Sequence, residues 1–89
     1  MMITGKTKSG FTFAIAENVM NNMELVDILA DDDTDMSLRV SKITRLILSK
    51  EQRKRLYDHH RTEDGRVPVD AVYEDIGEIF TSFAQGKNS

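Results

Sequence analysis

The segment from Val69 to Phe83 constrains the fold more than any other part of the chain, because its apolar residues recur at the spacing of one helix face. The residues of this apolar stripe are Val69, Val72, Tyr73, Ile76, Phe80 and Phe83. The acidic residues of the same segment fall on the opposite side, which predicts a solvated face. They are Asp70, Glu74, Asp75 and Glu78. Pro68 suits a first helical position, so we expect an amphipathic helix over about 69–84.

Two shorter helices are predicted upstream, over about 22–31 and 36–48. Asn21 followed by Glu24 has the pattern of a capping box, which indicates the start of the first helix. This helix should end at the aspartate run 31–33, since acids at a C-terminus face the negative end of the helix dipole. The second helix carries an apolar stripe, and its basic residues are expected on the outside. Those basic residues are Arg39, Lys42 and Arg45.

A third helix is predicted over about 50–60, because Ser49 and Gln52 repeat the capping-box pattern. A turn around Asp64-Gly65 separates it from the long helix. Gly77, inside the long helix, weakens it by about 1 kcal/mol relative to alanine. We interpret this glycine as space for a close helix crossing.

The first residues of the chain predict a β-hairpin over about 3–15. Phe11, Phe13 and Ile15 alternate with smaller residues, and Ser9-Gly10 supplies a tight turn before them. A two-stranded hairpin is marginal alone, so its apolar face should pack on the helices. Its edges should remain free for a partner or a second copy.

Together these patterns predict an α+β, mainly α fold, in which the hairpin packs on a compact bundle of about four helices. Residues 1–85 should form one domain, and 86–89 a flexible C-terminal tail. A chain of 89 residues without cysteine has a modest core, no disulfide and no cysteine-bound zinc. The lack of cysteine favours an intracellular protein. We expect neither secretion nor membrane insertion, because no apolar region follows the first lysines and no segment approaches the roughly 20 apolar residues of a membrane span.

The net charge of −3 conceals three blocks of alternating sign. Residues 17–35 contain seven acids and no base, and residues 39–61 contain eight bases and two acids. Residues 63–78 are again acidic, with six acids and one base. We expect the blocks to complement one another across helix faces. The alternative is a basic surface that is offered to a partner.

The acidic residues do not form a calcium loop. Asp31, Asp33 and Asp35 have suitable spacing, but Met36 stands where the loop needs glycine and Lys42 where it needs a bidentate glutamate. We expect a solvated loop between helices instead.

The histidines and remaining acids suggest no other chemical site. His59 and His60 point about 100° apart on a helix, within reach only of Glu63 or Asp64, and two ligands do not make a zinc site. The pair Glu74-Asp75 is expected on the solvated face. No glycine-rich loop or nucleophile elbow occurs, so we expect no catalytic residue, no metal and no cofactor.

Five residues are the candidates for partner binding. Arg53, Lys54 and Tyr57 belong to a basic face of the third helix, which could also contact phosphates. Phe80 and Phe83 are expected to be partly exposed near the end of the long helix. A sequence pI of 5.3 disfavours nonspecific attraction to nucleic acid, so a protein partner is favoured.

The order of four segments resembles the tail assembly chaperones of long-tailed bacteriophages and prophages. The segments are Lys6–Phe13, Met23–Asp27, Thr62–Val69 and Ile76–Phe80. The resemblance implies a non-catalytic protein that keeps the tape measure protein soluble and helps to recruit tail tube subunits. It also implies action in the host bacterial cytoplasm and absence from the mature virion. No catalytic or ligand residue is carried over from this family.

Two other functions remain open, together with homo-oligomer formation. The first is a small phage or prophage regulator or inhibitor that binds a host protein. The second is a nucleic-acid-binding repressor, which predicts salt-sensitive binding of a duplex through Arg53 and Lys54.

Overall fold

A computed structural model describes residues 1–87, and the side chains of residues 1–84, as an N-terminal hairpin followed by four helices. The predicted α+β, mainly α fold is confirmed. The elements in chain order are β1 (Met2–Lys6), β2 (Thr12–Ala16), α1 (Met23–Ala30), α2 (Met36–Ile47), α3 (Lys50–His60) and α4 (Val69–Lys87). A 3₁₀ turn over Glu17–Met20 joins β2 to α1. α4 extends three residues beyond the predicted end at 84, and residues 88 and 89 of the predicted tail lie outside the described residues.

The hairpin packs on the helices through the apolar face that its alternation predicts. Phe11, Phe13 and Ile15 are all buried. Gly5 lies opposite Phe13 in the antiparallel register, and a Cβ atom at Gly5 would stand 2.8 Å from Cζ of that ring. Glycine is therefore the residue that lets the phenyl ring lie flat on β1. The turn between the strands needs Gly10, whose φ of 97° strains any residue with a side chain.

The outer edge of β2 is closed by α3, so the prediction of free edges is wrong for this strand. The side-chain amide of Gln52 donates to the Ala14 carbonyl (2.9 Å) and accepts from the Ala14 N–H (3.1 Å). Arg55 donates to the Thr12 carbonyl at 2.7 Å. Because the Ala14 peptide faces α3, strand alternation turns the peptide of its partner Thr4 outward on β1. The edge of β1 on which the Thr4 peptide lies is therefore the one that α3 does not cover.

The helix starts follow the capping prediction for α3 and correct it for α1. Ser49 Oγ accepts from the Gln52 N–H at 3.2 Å, as the pattern predicts. At α1 the cap is Asn22, whose side chain accepts from the Glu24 N–H at 3.0 Å, so Asn21 was the wrong residue. A short asparagine side chain reaches the second helical N–H from this position, which fixes the start one residue later.

Arg39 is half-buried, and it does more on the surface of α2 than its place among the basic residues predicts. Its guanidinium donates to the carbonyls of Ile28 (3.3 Å) and Leu29 (3.0 Å), at the C-terminus of α1. A cation at this position satisfies unpaired carbonyls and opposes the negative end of the helix dipole. Arg39 therefore ties α1 to α2 just before the aspartate run.

The buried face of α4 is rotated by about 50° from the predicted stripe. Two predicted stripe residues are exposed, Val69 at 44% and Tyr73 at 50%. Ile79 and Asp75 take their place in the interior, with 0% and 1% of their surfaces exposed. The expectation that Asp75 lies on a solvated acidic face is therefore wrong. The buried apolar residues of α4 are Val72, Ile76, Ile79 and Phe83.

Within residues 1–87, no helix combines the length and the apolar composition that crossing a membrane requires.

Candidate functional site

An apolar groove runs between α2 and α4 beside the end of α1. It has a volume of about 380 Å³. Three of its large apolar residues are about half exposed: Leu29 at 45%, Met36 at 48% and Tyr73 at 50%. Arg39 and Glu74 also line it and supply charge of both signs. An apolar strip with a charged rim is the surface that an amphipathic helix recognises.

A second depression of about 250 Å³ continues this surface along α1 and α4. The two share Leu29 and Phe80, and the second adds Met20 and Val26. We refer to both depressions together as the apolar groove. Contiguous apolar surface of this kind marks interaction sites on soluble proteins.

The groove exists because α4 buries a carboxylate in place of part of its apolar stripe. Ser9 Oγ donates to both carboxylate oxygens of Asp75, at 3.0 Å and 2.9 Å. His60 Nε2 lies 2.7 Å from Asp75 Oδ2. These bonds satisfy the buried carboxylate, which would otherwise be costly to bury. Tyr73 lies about 160° around the helix from Asp75 and is left on the surface.

The histidines therefore reach other elements, and the expectation that they could pair only with Glu63 or Asp64 is wrong. His60 joins α3 to α4 through Asp75. The Nε2 atom of His59 lies 2.9 Å from the Ser9 carbonyl, and so joins α3 to the hairpin turn. Among the described side chains, no buried nitrogen or oxygen lacks a hydrogen-bond partner. The bonds of Ser9, His59, His60 and Asp75 therefore hold three elements together, which are α3, α4 and the hairpin turn.

The cluster of Ser9, Asp75 and His60 does not have the order of a hydrolytic triad. A triad needs the imidazole between the serine hydroxyl and the carboxylate, so that the ring accepts the hydroxyl proton. Here the carboxylate lies between the other two, and the Ser9 hydroxyl donates to it. Within the described part of the chain, no three His, Cys, Asp or Glu residues are placed to hold a metal ion.

Gly77 lines the groove. The interpretation of this glycine as space for a close helix crossing is wrong. A Cβ atom built at this residue meets no atom within 4 Å. The helix loses about 1 kcal/mol of propensity here with no packing need inside the chain. A local rule that is broken without an internal reason is expected at functional sites.

A second surface, the basic depression, lies between the end of α2 and α3, with a volume of about 380 Å³. It is lined by Arg45, Lys50, Arg53, Lys54, Tyr57 and Arg61. Asp58 bonds to Lys54 at 2.7 Å and to Arg61 at 3.2 Å, and these bonds lower the pKa of its carboxyl. The Tyr57 hydroxyl lies 3.3 Å from Thr44 Oγ1.

The predicted partner-binding residues thus fall on two separate surfaces. Arg53, Lys54 and Tyr57 line the basic depression, and Phe80 and Phe83 line the apolar groove. Phe83 is only 5% exposed, so its expected exposure is wrong, because the rotation of α4 turns it into the core.

Among the described side chains, one ion pair joins two different charge blocks, which is less than the expected complementarity. Two ion pairs lie inside the basic block, at Asp58, and one joins Arg66 to Asp64 inside the second acidic block. The pair of His60 and Asp75 links those two blocks. Within residues 1–84, no ion pair joins the first acidic block to the basic block.

Leu29, Met36 and Tyr73 were not singled out from the sequence as binding residues. A signal was present in α1, which has eight residues of which six are apolar. One face of so short a helix cannot bury all six, so some must remain on the surface. The sequence holds no comparable signal for the tie of Ser9, His60 and Asp75, whose members are far apart in the chain.

No protein-family model matches the chain, and neither a curated protein nor a solved structure matches it.

Proposed function

We propose that this protein is a non-catalytic tail assembly chaperone of a long-tailed bacteriophage or prophage. In this proposal it holds an amphipathic helical segment of the tape measure protein in the apolar groove, keeps that protein soluble and helps to recruit tail tube subunits. It acts in the host bacterial cytoplasm and leaves before the virion is complete. The resemblance of the sequence supports the choice of family, and the apolar groove supports the mode of binding.

The single observation that carries the binding mode is the exposed apolar lining of the groove. Leu29, Met36 and Tyr73 each expose about half of their surfaces there, while thirteen other apolar residues are buried. Burial of such surface by a partner contributes roughly 25 cal/mol per Å² before the costs of association. A long tape measure helix offers many weak sites of this kind, so several copies can act together.

Co-expression with a fragment of the tape measure protein tests the proposal. The fragment should be soluble with the wild-type chain and at least several-fold less soluble with Met36→Lys, because the ammonium group would have to be buried under the bound helix. Leu38→Lys is the matched control. Leu38 is 58% exposed on the same helix and does not line the groove, so this variant should keep the fragment soluble.

Two results would contradict the proposal. One is a fragment that is equally insoluble with and without the wild-type chain. The other is equal loss of solubility with both lysine variants, which would show that the groove has no special part in binding. Gly77→Leu gives an independent check. A Cβ atom at this residue meets no atom within 4 Å, and the rest of the leucine side chain would occupy the groove, so this variant should act like Met36→Lys.

A regulator or inhibitor is the alternative function, and it would bind a host protein through the acidic surfaces of the chain. Its gene should lie among early genes, whereas a chaperone gene should lie beside the tape measure gene. A nucleic-acid-binding repressor is the third function, and it would use the basic depression. It requires salt-sensitive duplex binding that is lost when both Arg53 and Lys54 are replaced.

A further inference from the structure

We propose that the apolar groove recognises its partner helix through one large apolar side chain, which inserts into a notch at Gly77. The notch is the space over the Gly77 backbone that is surrounded by side chains of α4 and α2. Those side chains belong to Tyr73, Phe80, Met36 and Val40. This proposal rests on the function proposed above, and it adds which feature of the partner helix the groove selects.

The fold of the chain itself gives no reason for a glycine at position 77. Its φ is not in the positive range that favours glycine, unlike the φ of Gly10 and Gly65. It does not end α4, which continues as a helix to Lys87. A Cβ atom at this residue meets none of the described atoms within 4 Å, so no neighbour in the described chain needs the space. The reason that remains is space for an atom of another molecule.

Helical spacing places an aromatic side chain on each side of the notch along α4. Tyr73 precedes Gly77 by four residues and Phe80 follows it by three, so both lie one turn away on the same face. On α2, Met36 and Val40 are also one turn apart and line the other wall. A gap between side chains on successive helical turns is the geometry that receives a knob when helices pack.

The lining of the notch favours an apolar occupant. Tyr73 exposes 50% and Met36 48% of their surfaces, so a side chain between them removes apolar surface from water. At the floor, the Gly77 carbonyl already accepts from the Thr81 hydroxyl at 3.1 Å. A polar side chain would therefore lose its hydration and gain little in return. Leucine, methionine and phenylalanine are the side chains that are both apolar and long enough to reach the floor.

Calorimetric titration with a series of peptides tests the notch. The parent peptide is an amphipathic helical segment of the tape measure protein, and each variant peptide has one of its large apolar residues replaced by alanine. Gly77→Leu should weaken binding of the parent peptide about tenfold or more, because two large side chains cannot occupy one notch. For one alanine peptide the preference should reverse. Gly77→Leu should bind that peptide more tightly than the parent, because its leucine fills the space that the missing side chain leaves.

Two further variants distinguish the notch from general effects on α4. Gly77→Ala should raise Tm by about 4–8 °C through helix propensity and yet weaken binding of the parent peptide. A glycine with a purely structural role would not change stability and affinity in opposite directions. Thr81→Leu is the matched control, because Thr81 is exposed one turn away and does not line the groove. This variant should bind every peptide within about twofold of the wild-type affinity.

Three results would overturn the proposal. Equal affinities of the wild-type chain and Gly77→Leu for the parent peptide would show that no side chain occupies the notch. An equal loss of affinity for every peptide, with no reversal, would show that the groove has no single site for a large side chain. If the wild-type chain binds no peptide of the series, the function proposed above is contradicted as well, which separates that failure from the first two.

Discussion

Replacing Asp75 with alanine should lower the free energy of unfolding by about 3 kcal/mol, a large part of the roughly 5–15 kcal/mol that a small domain has. The carboxylate is 1% exposed and is the common acceptor of Ser9 and His60. Its removal leaves the histidine, whose side chain is 11% exposed, without its partner in the interior. An unpaired buried polar group costs about 1–3 kcal/mol, and more if it is charged. Urea unfolding monitored by circular dichroism measures the loss.

Two further variants distinguish the loss of the bonds between Asp75, Ser9 and His60 from a general effect of removing a charge from α4. Glu74→Ala removes the neighbouring exposed carboxylate and should change the free energy of unfolding by about 0.5 kcal/mol or less. Asp75→Asn keeps one acceptor oxygen and should lose less than Asp75→Ala. Equal losses for Asp75→Ala and Glu74→Ala would contradict the role given to the buried cluster.

Replacing Leu56 with alanine should cost about 3–4 kcal/mol. Leu56 is fully buried and is the only buried residue of α3, and half-buried Tyr57 packs against the same core. The cavity left by the missing isobutyl group adds to the lost transfer free energy. For a domain of this size the loss corresponds to roughly 4–8 °C of Tm per kcal/mol, which thermal unfolding detects easily.

Leu38→Ala is the matched control for this substitution. Leu38 is 58% exposed on α2, so the same change should alter stability by about 0.5 kcal/mol or less. A tolerated Leu56→Ala would show that α3 is held mainly by its polar contacts, such as those of Gln52 and Arg55 with the edge of β2.

The elements were predictable from the sequence because they depend on local signals. Ser49 caps α3 at the position that the capping pattern predicts. Alternation in β2 and helical spacing in α2 likewise depend on neighbours within one turn or one strand. The start of α1 was misplaced by one residue because two asparagines stand side by side, and only the folded chain selects Asn22.

The groove was not predictable, because it follows from a contact between distant residues. Ser9 and Asp75 are 66 positions apart in the chain. A periodicity argument applied to α4 alone places every acid outside, since it contains no information on a donor in another element. The hydroxyl of Ser9 and the imidazole of His60 bond to Asp75 and so allow its carboxylate to be buried. The buried face of α4 is therefore rotated, and Tyr73 is part of the surface.

The charge blocks of the sequence did not predict the ion pairs of the structure, for a related reason. Opposite charges in sequence complement each other only if the fold brings them within the screening length. Here α2 separates the aspartates of residues 31–35, which precede its start, from the basic depression at its end.

The most direct test of the central claim is an amide chemical-shift titration of the wild-type chain with an amphipathic helical peptide from the tape measure protein. If the apolar groove holds this helix, the largest shifts should occur at Leu29, Met36, Tyr73 and Gly77, which line it. Shifts confined to Arg53 and the rest of the basic depression, or no shifts at all, would contradict the claim.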